Sequence, residues 1–479
     1  MIWPAERSVA SAPDRAVLHD QLKILAGEQK NRGQTARSLA TAAALVARFP
    51  FSGAGYWAMA RALTPQPALR GWRRLRSGIA RGGALKGLKR LLRFGLGSVG
   101  RALSLFSRQR NPGGVFFFFR TADFGGAERV HAQIVQGAQD LQPWVYFTER
   151  GNENGFLGEY RGAGRVIRPW RLAGGRILSR LYAGYLAGLI SRHRHAVVFG
   201  SHCSLAYALV PLLSPHVRCV DLRHAFDAAH EEWALQFVPR LNARVVISLE
   251  HNRLRKELYR AQGLSGELAA RSVVIENGIS MGRRDTHDFH APTLEVVFVG
   301  RAAPEKRVYL VGRIATECRK RALNLRFTLV GPIPEWVEPE DRAHCEFRGV
   351  VLDPTVMRRI YEQSHLLLLT SSSEGMPLVV QEAMAHAVVP ISTRCGALHE
   401  HLDGTNGCIV ENGDEARIVR EVVGILERLL AQREELAAMS LRAWEYAQAR
   451  FTAPGFAAAY RQVLLADSAR GAVSPGGRD

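Results

Sequence analysis

From Val115 onward, short apolar runs rich in β-branched and aromatic residues alternate with stretches of helical period, and the alternation restarts once after a polar break. The first set is "VFFFF" (115–119), "WVYF" (144–147), "AVVFGS" (196–201), "RCVDL" (218–222), "RVVIS" (244–248) and "SVVIE" (272–276). Runs that are apolar throughout suit strands buried on both faces, as in a parallel sheet with helical crossovers. The crossovers are visible as "AERVHAQIVQGAQ" (127–139) and "LEHNRLRKELYRAQG" (249–263), the second with Ser248 placed to cap it. "ISMGRRDTHDFHAP" (279–292) has no apolar period and reads as a linker. A second set then begins: "LEVVFVG" (294–300), "RFTLVG" (326–331), "CEFRG" (345–349), "HLLLLT" (365–370), "VVPIS" (388–392) and "GCIV" (407–410). Two open α/β domains facing each other across a linker are expected.

The 479 residues, 47% of them hydrophobic, can bury cores of that size. The six cysteines form no CxxC pair, and the start of the chain lacks the pattern of a signal peptide, so a reducing cytoplasm is expected. The longest apolar run, "SLAYALVPLLS" (204–214), is too short to span a membrane.

A net charge of +20 suggests nucleic acid until it is mapped along the chain. Residues 1–112 hold twenty Lys and Arg against four Asp and Glu, so +16 of the +20 belongs to that segment. Thirteen basic and no acidic residues lie between Arg61 and Arg110. Within "LKGLKRLLRFGLGSVGRALSLF", Leu85, Leu88, Leu92, Leu96, Val99, Leu103 and Phe106 recur at helical steps, with Lys86, Lys89, Arg90 and Arg93 off that stripe. Such a helix suits an anionic lipid surface, with the stripe submerged and the basic heads at the phosphates. The same stripe would equally suit packing on the protein's own body. With 57 Arg to 7 Lys in the chain, arginine richness alone does not identify a nucleic-acid partner.

Ligands of open parallel sheets sit beyond the carboxyl ends of the strands, which directs attention to the loops there. "RTADFGGAERV" (120–130) sets Gly125 and Gly126 before a helix, where bare backbone and free N–H groups can meet an anion. "GRAAPEKRV" (300–308) carries Arg301 and Lys306 as a candidate diphosphate clamp. "SSSEGMPLVVQE" (371–382) puts Glu374 in a loop, Pro377 at the expected first position of a helix over 377–387, and Glu382 about five residues in, roughly 8 Å along the axis. Two carboxylates to accept from hydroxyls, with basic and backbone donors between them, describe a nucleotide sugar. Taken singly, the glycine pair also reads as a plain turn, Glu374 as a complement to the helix dipole, and Asn277-Gly278 in "VIENGIS" as another turn.

Together, "FGGAERV", "VIENGI", "GRAAPEKRV", "FTLVG", "FRGVVLD" and "EGMPLVVQEAMAHAVVPISTRCGALHEHL" resemble glycosyltransferase family 4 in order and spacing, over about residues 113–466. The group comprises retaining transferases of GT-B fold, two facing Rossmann-like domains. The charge map sets off a basic extension over 1–112, and the resemblance implies an acceptor-side domain over 113–285 and a nucleotide-sugar donor domain over 286–450. It also implies a helix over 451–467 returning to the first domain, while the composition of "GAVSPGGRD" suggests a disordered tail over 468–479.

By resemblance, Arg301 and Lys306 hold the donor diphosphate and neutralise the leaving group. Glu374 binds hydroxyls of the donor sugar, and Gly375, Met376, Pro377, Leu378 and Val379 form the backbone donor turn. Glu382 grips the ribose, Gly125 and Gly126 lie against the phosphates, Asn277 is counted among the donor-binding residues, and His224 in "DLRHAFD" contacts the donor sugar. The base rests near Gly331, Phe347 and Arg348. "LVGPIPEW" departs from the family's Gly-x-Gly and leaves base preference open. Transfer with retention, no metal and no cofactor beyond the nucleotide-sugar co-substrate is expected, to a glycan or polyprenyl-linked acceptor of bacterial cell-surface polysaccharide. The expected place is the cytoplasm, peripheral at the inner face of a membrane, with no nucleic-acid partner. A sugar-nucleotide epimerase of similar fold and a non-catalytic scaffold are the alternatives. Lys306 and Glu382 are expected in a solvated cleft.

Overall fold

The structure, a computed structural model, describes residues 96–151, 155–173, 177–283 and 287–466. Residues 1–60, the apolar stripe up to Leu92 and the tail from 468 lie outside the described residues.

Each of the two sets of apolar runs closes into its own parallel sheet. The first contains β1 (Val115–Phe119), β2 (Trp144–Phe147), β3 (Arg165–Ile167), β4 (Val197–Ser201), β5 (Arg218–Arg223), β6 (Ala243–Val246) and β7 (Ser272–Val274), in the order β3-β2-β1-β4-β5-β6-β7. The second contains β8 (Leu294–Val299), β9 (Leu325–Val330), β10 (Cys345–Gly349), β11 (Leu366–Leu369), β12 (Val389–Thr393) and β13 (Cys408–Val410), in the order β10-β9-β8-β11-β12-β13. β3, at the sheet edge, is half exposed and carries no long apolar run, so it escapes the sequence pattern.

The helices that matter for the site are α1 (Gly126–Gln136), α2 (Leu178–Ile190), α3 (Ala228–Ala234), α4 (Leu249–Ala261), α5 (Val308–Lys320), α6 (Pro354–Gln363), α7 (Leu378–Ala385), α8 (Glu415–Ala431), α9 (Arg433–Arg450) and α10 (Ala453–Leu465). Burial on both faces explains the unbroken apolar runs. In β1, Val115, Phe117 and Phe119 join the large core that continues into the second domain. Phe116 and Phe118 face the other way, onto Trp144, Tyr146 and Leu186. Ser248 caps α4, accepting from the His251 N–H at 3.1 Å.

The chain crosses between the domains twice, and the crossings are joined. The Ile279 N–H donates to the Phe451 carbonyl at 2.7 Å, and the Ala453 N–H to the Ile279 carbonyl at 3.2 Å. α10 then packs on the first domain, where Arg461 forks onto Asp140 at 2.7 Å and Arg218 Nε donates to the Val463 carbonyl at 2.7 Å.

Residues 96–104 are helical and dock on α2 through small residues. A Cβ on Gly100 would fall 2.0 Å from the Leu181 carbonyl oxygen, and one on Gly184 would fall 2.0 Å from that of Gly97. The backbones therefore touch, with Gly97, Gly100 and Ser104 turned inward. The glycines that weaken this helix intrinsically are what let it approach. Of the stripe's described residues, Leu96 is half-buried, Val99 and Leu103 are 54% exposed and Phe106 is 86% exposed. Among these, Phe106 is the least covered by the described residues.

Candidate active site

In both all-parallel sheets the strand order reverses at a central pair, β1 beside β4 and β8 beside β11. Crevices form where the crossovers leave such a pair on opposite faces. The loop after β1 is the Gly125–Gly126 loop; the loops after β8 and β11 carry Lys306 and Glu374. The two crevices are apposed. A Cβ on Gly126 would touch the Leu378 side chain at 3.4 Å, and one on Gly375 would fall 2.2 Å from the His224 carbonyl oxygen. Glycine at 375 is required by that approach of two backbones.

α1 and α7, whose first residues are thus in contact, have no side-chain cap. Ser248 and Asp353, by contrast, cap α4 and α6. Uncapped first-turn N–H groups are donors in search of an acceptor. Pro377 lies one position outside α7 with ψ 123°, and the helix stops at Ala385, because Ala387 turns to φ +60°. The element is therefore shorter than the expected 377–387. Met376 is buried and Leu378 and Val379 are half-buried.

Lys306 Nζ lies 2.5 Å from Glu374 Oε1, with side chains only 13% and 12% exposed. Arg307, at φ +45°, fixes this geometry: its guanidinium donates to the carbonyls of Thr370 at 2.7 Å and Ser371 at 3.2 Å and to Asn412 Oδ1 at 2.8 Å. Thr370 Oγ1 donates back to the Lys306 and Arg307 carbonyls at 3.1 and 3.0 Å. Arg301 is mostly exposed and pairs with Glu305 at 2.5 Å. Glu382, 9% exposed, accepts from the Tyr361 hydroxyl at 2.9 Å and from Arg129 of α1 across the cleft. The expectation of a solvated cleft around Lys306 and Glu382 is thus overturned: each is paired and largely enclosed.

His224 Nε2 lies 2.9 Å from His131 Nε2, and His202, itself at φ +49°, stacks on His224 with centroids 5.7 Å apart. One ring of the first pair must carry its proton on Nε2 and donate it. Burial, with help from neighbouring positive groups, lowers His224 to about 3 and His202 to about 4, and burial puts His131 well below its ordinary value. The three rings are neutral at pH 7.

Two expected residues are placed elsewhere. Arg348 pairs with Glu346 at 2.9 Å and lines a cavity of about 390 Å3 with Glu295, Arg326 and His365. The two-residue period of β10 puts it on the face opposite Phe347. Asn277 is fully buried, and Gly278 beside it meets Phe456 and Ala453 of α10, so this turn sits at the domain crossing. Gly331 is held at φ +139°, and a Cβ there would fall 1.9 Å from the Gly300 carbonyl oxygen, which brings the ends of β8 and β9 together.

Sequence reasoning missed Arg129, Tyr361, Arg307, His131 and His202. Arg129 and His131 stand within or just after "GGAERV" and Arg307 follows Lys306, so the motifs contain or adjoin them. Tyr361 lies on α6, far from any motif, and carries no local signal.

Residues 293–428 match the family described as glycosyl transferases group 1. No curated protein sequence matches the chain. Similar solved structures include Anabaena Alr3699/HepE in complex with UDP and glucose, at 16% identity and TM-score 0.58, covering 74% of this chain and 99% of that one. The lipopolysaccharide outer core galactosyltransferase WaaB, in its apo form, has 16% identity and TM-score 0.55 over 74% of this chain and 99% of its own. The pneumococcal O-GlcNAc transferase GtfA, in complex with UDP and GlcNAc, has 11% identity and TM-score 0.60 over 73% and 98%. Residues 293–428 thus match a glycosyltransferase family model, and the chain that carries them has the GT-B fold of these solved structures.

Proposed function

We propose that the protein transfers a sugar, with retention of configuration, from a nucleotide-diphosphate donor to a glycan or lipid-linked acceptor of bacterial cell-surface polysaccharide. The observation that carries this is the meeting of the uncapped helices α1 and α7 beside the Lys306–Glu374 pair. An anion placed there gains backbone donors from both domains, two helix dipoles and a lysine. A diphosphate fits that field, and its departure with the electrons of the sugar–oxygen bond is what the field would stabilise. The acceptor hydroxyl attacks on the same face and gives its proton to the leaving phosphate oxygen. Glu374 then holds the donor sugar's hydroxyls, His224 lies against the sugar, and Glu382 takes the ribose alongside Tyr361. Because lysine, arginine and helix ends supply the positive charge, transfer is proposed to need no metal. UDP-bound relatives of the same fold suggest a uridine donor.

Titration of UDP into the protein, followed by a screen of UDP-sugars for hydrolysis in excess chelator, tests the reading. Saturable UDP binding and chelator-resistant turnover are expected. No UDP binding, or turnover that only manganese restores, would sink it; a free nucleotide diphosphate trapped during sugar inversion would favour the epimerase.

We also propose that the chain works at the inner face of a membrane, held by its basic segment. The outward apolar face of the helix at 96–104, with Arg101, Arg108 and Arg110 around it, supports this. Each basic residue near an anionic surface contributes about 1 kcal/mol, screened by salt. Among the described residues no helix is long and apolar enough to cross a membrane.

A further inference from the structure

Beneath the acceptor-side wall of the cleft lies a buried cluster of charge that does not balance. Asp221 and Glu231 are 3% and 0% exposed; Arg223, Arg244 and Arg255 are 2%, 2% and 0% exposed. Two carboxylates face three guanidinium groups. Arg244 is fully used: it donates to Asp221 Oδ2 at 2.8 and 3.1 Å, to Glu231 Oε2 at 2.9 Å and to the Tyr259 hydroxyl at 2.6 Å. Arg255 takes the rest of Glu231, at 3.0 Å on Oε1 and 3.3 Å on Oε2. What remains for Arg223 is Glu231 Oε1 at 3.7 Å, beyond hydrogen-bond distance. Its Nε and Nη1 are buried with no partner among the described residues.

A buried cation with unsatisfied donors is costly, which makes an unpartnered one a candidate for an anionic ligand. The two carboxylates of the cluster are already taken up by Arg244 and Arg255. Arg223 acts electrostatically on His202, His224, His230 and His251, all of which are held below their ordinary pKa, chiefly by burial. Two of these rings also lack partners, at His230 Nε2 and His251 Nδ1. Unmet hydrogen-bonding capacity therefore gathers around this positive charge.

The location gives the charge a purpose. Arg223 ends β5 at its carboxyl end and directly precedes His224, whose carbonyl touches Gly375 of the donor loop. Half-exposed Trp233 stands edge-on to Tyr207 and close to His230, with ring centroids 4.9 and 5.1 Å apart, and offers an aromatic face suited to a pyranose ring.

We propose that Arg223, with His230 beside it, receives an oxyanion carried by the acceptor, a phosphate or a carboxylate on the acceptor glycan. This rests on the transferase reading for its choice of acceptor, while the anion site itself does not. Occupation would supply the third negative charge of the cluster and place the acceptor one residue from the donor pocket.

The test compares the full chain with Arg223→Met, Arg223→Lys and His230→Phe by thermal denaturation, in chloride of constant ionic strength. Inorganic phosphate and glucuronate are titrated as probes, and UDP is titrated into the wild type in the same series. Expected are a saturable rise in the wild-type Tm with at least one probe, a loss of that rise in Arg223→Met, and a probe affinity at least threefold weaker in Arg223→Lys and His230→Phe. The ligand-free Arg223→Met protein should melt no lower than wild type, because an unmatched charge has been removed. A lower ligand-free Tm in Arg223→Met, an equal probe response in that variant, or no response of the wild type to either probe overturns the proposal. Failure of UDP to bind the wild type would instead remove the transferase reading and leave the anion site standing.

Discussion

Lys306 and Glu374 are each other's closest charged neighbours, which makes the pair a switchable resource. An ammonium group carries three donors, and one carboxylate uses only part of that capacity. A phosphate can thus be gripped without the glutamate being released. Lys306→Ala removes the grip and strands a mostly enclosed carboxylate, so it should weaken UDP at least tenfold and cost about 1–3 kcal/mol of stability. Calorimetric titration and thermal melting read the two; an unchanged UDP affinity would refute the assignment. The neutral histidines set a pH dependence of the folded state. His202 at about 4 and His224 at about 3 lie below the unfolded value, so the unfolded chain binds more protons as pH falls from about 6.5 to about 4. Their stabilising contribution is complete above pH 6.5 and is lost on acidification, by about 1.4 kcal/mol per pH unit for each histidine in that window. His202→Asn should flatten the fall in Tm between pH 6.5 and 4.5. The motif residues themselves were legible because Gly, Pro, Glu and Lys have local reasons to stand where they do. Arg129, reaching across to Glu382, and the histidine triad were not, because their partners lie in other elements and no period connects them.

At the scale of elements, the strands were the most readable part, since burial on both faces leaves unbroken apolar runs. The edge strand β3 was hidden for the complementary reason. Helix boundaries depended on backbone geometry that sequence barely encodes, as at Ala387. The apposition of loops gives a sharp prediction. Gly375→Ala would drive a Cβ into the His224 carbonyl, backbone against backbone, so the loops must part. Sugar transfer should fall more than tenfold while the protein still folds; wild-type rates in that variant would mean the two loops need not touch. The outward face of the helix at 96–104 predicts a second result. Leu103→Glu with Phe106→Glu, both at exposed positions, should leave the melting temperature in place and cut sedimentation with anionic vesicles at low salt. Equal sedimentation of the double variant would assign membrane binding to other residues.

For the whole molecule, the two-domain plan was visible as a pattern that starts twice, and the return of the last helix as "FTAPGFAAAYRQVL". What the sequence left unsaid was how the two crossings meet. Ile279 bonds to both Phe451 and Ala453, and Gly278 lies against Phe456, so the chain passes out and back through one stitched point. Gly278→Val would wedge that point apart. Its expected signature is a drop in kcat with UDP affinity kept, measured by steady-state kinetics and titration; a loss confined to affinity would speak against it. The stitch also limits what kind of movement the molecule can make. Two tethers fastened side by side resist sliding and leave mainly turning, like a pair of tongs with one rivet. How closely the two jaws meet then becomes a property of the rivet, set where the crossings join and not in the cleft itself.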